Sequence, residues 1–155
     1  MRALLRRIIL ATDGSAASIK ALEFVVTKLS PDQSTGESGR GQIQVSVVHV
    51  MARRPLAPIQ FRFQAPWIKS EKKVKDAAYK LVDQIVQQLT EAGFTAQPVL
   101  KIGNAAEEII KASSQRNADL IVMGAKGLNA IDRVLLGSVS TRVVQYASCP
   151  VLVVR

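Results

Sequence analysis

The sequence predicts an α/β fold: a single doubly wound domain whose five-stranded parallel sheet runs in the order 3-2-1-4-5, with helices on both faces. Three observations lead there. Apolar runs of strand length alternate with segments of helical spacing along the chain, and right-handed helical crossovers between parallel strands cover both faces of the sheet. The fourth such run, Ala118 to Met123, is apolar enough to be buried on both sides. The third, Phe94 to Ile102, contains Pro98, which cannot donate a ladder hydrogen bond and so places that strand at an edge.

Taken in order, Arg7 to Thr12 is the first strand, and Asp13-Gly14-Ser15 supplies turn and cap chemistry before a helix over Ser15 to Leu29. Pro31 to Gln42 has little to bury and reads as a flexible surface loop. Ile43 to Val50 is the second strand. Met51 to Ile68 holds three prolines and three of the seven aromatic residues, Phe61, Phe63 and Trp67, and reads as a long loop. The clearest helix follows, Ser70 to Ala92, with Val74, Ala77 and Ala78, Leu81 and Val82, Ile85 and Leu89 on one stripe and Gly93 as its stop. After the third strand, Asn104 and Glu107 have capping-box spacing ahead of a helix from Ala105 to about Arg116. A fourth helix over Val139 to Tyr146 and a fifth strand from Pro150 to Val154 close the chain.

Composition narrows the setting. A chain of 155 residues with 48% apolar content can bury a real core. One cysteine, Cys149, excludes an internal disulfide framework, and one histidine, His49, leaves no zinc cluster. No apolar stretch approaches the roughly 20 residues that span a bilayer, and the first apolar run is broken at Thr12 and Asp13 before it resembles a signal segment. The expectation is a cytoplasmic protein with no membrane partner. The net charge of +9 is concentrated between Met51 and Lys80, where eight basic residues face only Glu71 and Asp76.

The stretch with the most chemistry is GAKGLNAIDRVLLGSVS, Gly124 to Ser140. Two glycines three apart, a nine-residue spacer, then Gly137 and Ser138 at a helix start offer bare backbone N–H groups to an anion. Glycine permits positive φ and close ligand approach, while a helix N-terminus supplies unpaired donors. In doubly wound sheets ligands bind beyond the C-terminal strand ends where the winding reverses. With strands 1 and 4 adjacent, Thr12 and Asp13 face this loop across one crevice.

In these features the chain resembles the universal stress protein family over nearly its whole length. The carriers are IILATDGS (Ile8 to Ser15), His49-Val50, the G-x2-G-x9-G-S motif at Gly124, Gly127, Gly137 and Ser138, and ASCPVLVV (Ala147 to Val154). The full glycine spacing is similar to that of the family's ATP-binding branch. The resemblance implies an adenine nucleotide, ATP first, with Ala11, Thr12 and Asp13 against the adenosine, and Val50 and Met123 lining the adenine slot. Gly124, Ala125, Lys126, Gly127, Gly137, Ser138, Val139 and Ser140 would surround ribose and phosphates. Magnesium is a possible companion, with Asp13 the carboxylate through which it would be held.

Chemistry fits those roles independently, since a carboxylate accepts from ribose hydroxyls and Ser138 and Ser140 can add hydroxyl donors to a backbone nest. For Asp13 the alternative is a cap for the first helix, and His49 reads as a packed strand residue and not as a catalyst or ligand. The function expected is an ATP-binding stress-response or regulatory protein in which occupancy changes shape or partners. Slow ATP hydrolysis is the alternative, because the chain lacks G-x4-G-K-[ST] and, besides Asp13, only Asp132 is acidic near the loops. Nucleic-acid binding through residues 51–80 is the weakest reading; a solvated helix face explains the lysines as well. The fifth strand, with Val151, Leu152, Val153 and Val154, would be an apolar edge, and a homodimer through it is expected.

Overall fold

The structure is a computed structural model that describes residues 5–29, 43–53, 59–61, 65–128 and 135–155. The strands are β1 (Arg7–Ala11), β2 (Gln44–Met51), β3 (Thr95–Ile102), β4 (Leu120–Gly124) and β5 (Val151–Val154). They form one parallel sheet in the order β3-β2-β1-β4-β5, the order expected from the sequence. Pro98 sits opposite Val47 on the edge strand β3, where its missing N–H has no ladder to interrupt.

The helices are α1 (Ala16–Lys28), α2 (Ala65–Glu91), α3 (Ala105–Gln115) and α4 (Ser138–Tyr146). Two cores lie on opposite faces of the sheet. Ile8, Leu10, Val45, Val47 and Val122 pack against Leu22 and Val25 of α1 and Val82, Ile85 and Leu89 of α2. On the other face Ile9, Ala11, Val48, Ile121 and Met123 pack against Ile109 and Ala112 of α3 and Val143 of α4. Alternate residues of the central strands thus serve alternate cores, which explains why β1 and β4 read as continuous apolar runs.

The main departure from expectation is α2. It begins at Ala65, five residues before the expected start, and a 3₁₀ turn covers Ile59–Phe61, so part of the segment read as loop is helical. Pro66 explains the misreading: in the first turn of a helix proline has no hydrogen bond to lose. Phe63 and the side chains of Phe61 and Trp67 lie outside the described residues, as does the loop expected at 31–42. The helix also outruns the sheet. Val74, assigned by spacing to the core stripe, is 43% exposed, and Ala78 is the first buried side chain among those described on α2. Gly93, with φ of 91°, ends the helix in the left-handed conformation that glycine adopts without strain.

Asn104 caps α3 by accepting from the Glu107 amide at 3.2 Å. The Glu107 carboxylate is used elsewhere, accepting from Arg142 Nη2 on α4 at 3.1 Å. At the N-terminal end of the sheet, Asp119 Oδ2 accepts from the backbone N–H groups of Arg6 and Arg7 at 2.9 and 2.8 Å, tying the start of β4 to that of β1.

Candidate functional site

Strand order alone opens a crevice here. β1 has β2 on one side and β4 on the other, so the connections leaving β1 and β4 diverge to opposite faces. A cleft of about 1620 Å³ lies over these C-terminal strand ends. Every residue proposed from sequence lines it: Ala11, Thr12, Asp13, Val50, Met123, Gly124, Ala125, Lys126, Gly127, Gly137, Ser138, Val139 and Ser140.

The turn after β1 is held by its own polar atoms. Ser15, not Asp13, caps α1, its hydroxyl oxygen accepting from the Ser18 amide at 3.2 Å. The Thr12 hydroxyl accepts from the Gly14 amide and donates to Ser18 Oγ. The Thr12 carbonyl lies 2.9 Å from His49 Nδ1. Since a carbonyl only accepts, that ring nitrogen carries the proton. His49 therefore braces the turn from β2.

Asp13 is left to bridge. Its Oδ1 accepts from the Ser15 amide at 2.9 Å and its Oδ2 from the Leu128 amide at 3.0 Å, so one carboxylate joins the β1 turn to the glycine loop. Burial pushes the Asp13 carboxyl up, but hydrogen bonds from the Ser15 hydroxyl and amide, the Leu128 amide and the Ser18 hydroxyl together outweigh it. The group lies below its ordinary 3.8 and is ionised at neutral pH.

The glycines of the motif have reasons that the spacing does not disclose. None of Gly124, Gly127 and Gly137 adopts positive φ, so the conformational freedom of glycine is not what these positions use. A Cβ on Gly124 would lie 2.6 Å from the Ala17 carbonyl carbon, so this glycine lets the first turn of α1 cross the end of β4. A Cβ on Gly127 would lie 2.7 Å from Asp13 Oδ2 and would obstruct the bridge. Gly137 N-caps α4 without a side-chain bond. Its amide donates to the Ala125 carbonyl at 2.7 Å, which returns the far end of the loop to its beginning.

That closure aims the start of α4 into the cleft, where the amides of Ser138, Val139 and Ser140 have no acceptor within the helix. The Ser140 hydroxyl does not join them. It is buried and donates inward, 2.8 Å from the Ala125 carbonyl and 3.0 Å from that of Gly137, which corrects its expected role as a donor to the nest. Ser138 is exposed and keeps that role open.

Sequence reasoning missed part of the wall. Ile109 of α3, Arg142 and Tyr146 of α4, and Glu71, Val74 and Lys75 of α2 also line the cleft. The α4 residues could have been found from helical spacing, because Arg142 lies four positions after Ser138 and shares its face. The contribution of α2 could not, since it depends on how far the helix projects. Among the described residues no group of three metal-ligating side chains occurs, and no helix is long and apolar enough to cross a membrane.

Comparison with known proteins gives one answer. A profile of the universal stress protein family matches residues 5–155. Universal stress protein YxiE of Bacillus subtilis is 29% identical over 154 residues, covering 96% of this chain and 98% of the relative. Universal stress protein MJ0531 of Methanocaldococcus jannaschii is 28% identical, covering 98% and 83%. Among solved structures, protein MJ0577 of the same archaeon superposes with a TM-score of 0.81 at 25% identity, covering 98% of this chain and 96% of that one. Two others share the fold at TM-score 0.64: a universal stress protein in complex with cAMP, 20% identical, and an Arabidopsis thaliana family member with AMP bound, 19% identical. The first covers 99% of this chain and 98% of its own, the second 96% and 90%. The chain belongs to the universal stress protein family.

Proposed function

We propose that this protein binds an adenine nucleotide, ATP first among candidates, and acts as a cytoplasmic stress-response regulator whose shape or partners follow occupancy. The observation that carries the reading is the meeting, in one cleft, of the free amides at the start of α4 with the ionised Asp13. Phosphates need the first and ribose hydroxyls suit the second. Val50 and the edge of Met123 supply apolar surface for a base. The AMP and cAMP complexes of two fold relatives support the same ligand class.

Magnesium fits as a passenger on the phosphates, a setting in which one or two carboxylates suffice; Asp13 is the candidate. Asp13 and Glu71 are the only carboxylates among the described residues lining the cleft, and Asp13 already receives two amides. ATP turnover is therefore expected to be slow at most.

Isothermal titration of nucleotide-free protein with ATP and with GTP tests the proposal. Saturable ATP binding, weakened at least tenfold by Gly127→Val, is expected; no saturable ATP binding sinks it. The homodimer proposed through β5 rests on its place at the sheet edge with Val151, Leu152, Val153 and Val154 only half-buried. A monomer by light scattering at micromolar concentration would contradict that assembly.

A further inference from the structure

The cleft continues past the start of α4, and the wall there carries a cation that the nucleotide motif does not include. Arg142 lies one helical turn beyond Ser138 on the same face and lines the cleft. Its guanidinium donates through Nη2 to Glu107 Oε1 of α3 at 3.1 Å. Both side chains are more than half exposed, 52% and 60%. Exposed pairs of this kind stabilise a fold very little, so holding α3 to α4 does not account for it, and replacing Glu107 by a stronger anion costs little. Arginine presents five donors in a planar fork suited to phosphate oxygens, and among the described residues the bond to Glu107 leaves most of them available.

We propose that Arg142 is a specificity residue through which the cleft reads the length of a phosphate chain. The inference rests on the nucleotide-binding reading above. The amides of Ser138, Val139 and Ser140 can satisfy one phosphate group, whereas a di- or triphosphate brings additional charge that fixed amides at one helix end leave uncompensated. The guanidinium, anchored on the same rigid helix, exchanges Glu107 for that extra charge. Glu107 is then its resting partner, and it competes with the polyphosphate tail. The site accordingly favours ATP and ADP over AMP.

Calorimetric titrations of ATP, ADP and AMP into the full chain and into Arg142→Ala, Arg142→Lys and Glu107→Gln test this. Arg142→Ala is expected to weaken ATP about tenfold, the scale of one charge-assisted hydrogen-bonded contact, while AMP changes less than about twofold. Arg142→Lys should recover part of the loss, since charge remains and the fork does not. Glu107→Gln should leave ATP binding as tight or tighten it by a few fold. Thermal melts of each variant confirm that the fold persists. An Arg142→Ala variant that weakens ATP and AMP equally, or neither, overturns the assignment and leaves the nucleotide reading standing. An unaltered chain that binds no adenine nucleotide overturns both.

Discussion

Two aspartates close opposite ends of the same strand pair, β1 and β4, and they spend their oxygens differently. Asp119, at the N-terminal end, gives a single oxygen, Oδ2, to two consecutive amides, Arg6 and Arg7, while Oδ1 faces the Arg7 guanidinium at 3.8 Å. Asp13, at the C-terminal end, gives Oδ1 to Ser15 and Oδ2 to Leu128, so its two oxygens serve two segments. Both carboxyls lie below the ordinary aspartate value for related reasons. Burial opposes the ionised form in each; at Asp119 the two amides and the positive charges of Arg7 and Arg6 outweigh it, at Asp13 the hydrogen bonds already described. A depressed carboxyl is thus no sign of function in this molecule. Asp13 is set apart by a glycine that leaves room for it and a helix N-terminus that shares its cleft.

The asparagine variants separate the two ends most sharply. An amide keeps one acceptor oxygen. At position 119 that oxygen can still receive both amides, and only an exposed ion pair is lost. Asp119→Asn should therefore leave stability within about 0.5 kcal/mol and nucleotide affinity unchanged. At position 13 the amide nitrogen must face one of two N–H donors, so a bridge breaks. Asp13→Asn should weaken ATP at least tenfold and cost about 1 kcal/mol, a figure kept low because the Leu128 end is open to water. Titration calorimetry beside urea denaturation measures both. Equal loss of affinity in the two variants would mean that the cleft end has no special claim.

The frame was legible because it follows from local pattern, and the gathering of the site because the glycine spacing and the strand ends resemble those of a known family. Pro98 named an edge, and continuous apolar runs named strands buried on both faces. What could not be read were reasons that lie across the fold. Gly124 is small because of Ala17 on α1, and Gly127 because of a carboxylate 114 positions earlier in the chain. Ser140 looks like one more hydroxyl in a phosphate motif until the Ala125 carbonyl is placed beside it. The projection of α2 escaped for a related reason: its spacing reports an apolar stripe without reporting where the sheet beneath it ends.

Acid should reveal the same asymmetry between the aspartates. A carboxyl with a lower pKa folded than unfolded binds fewer protons in the native state, so its contribution is fully present above the unfolded value near 3.8 and is lost as pH falls through the folded one. Protonated Asp119 keeps a carbonyl oxygen for its amides. Protonated Asp13 keeps one strong acceptor, the carbonyl oxygen, and its protonated oxygen receives the second amide only weakly. Urea midpoints followed from pH 5 to pH 2 should show wild type converging on Asp13→Asn below pH 4, with little separation from Asp119→Asn anywhere in that window. A constant gap between wild type and Asp13→Asn across it would mean that the bridge does not depend on charge.

The smallest expected effect concerns the two serines at the start of α4. Ser140 is buried with its proton committed to the Ala125 carbonyl, an oxygen that also accepts the Gly137 amide. Removing the hydroxyl leaves that carbonyl one partner of two, so Ser140→Ala should cost about 1 kcal/mol or less, not the full penalty of an orphaned group. In a chain of this size that lowers Tm by roughly 2–4 °C. Because the bond fixes where α4 begins, ATP affinity should fall only a few fold, through a looser nest and not through a lost contact. Ser138→Ala, at an exposed position, should leave Tm unchanged. If Ser138→Ala lowers Tm as much as Ser140→Ala does, the inward hydroxyl is not what closes the loop, and the glycine segment owes its shape to the Gly137 amide alone.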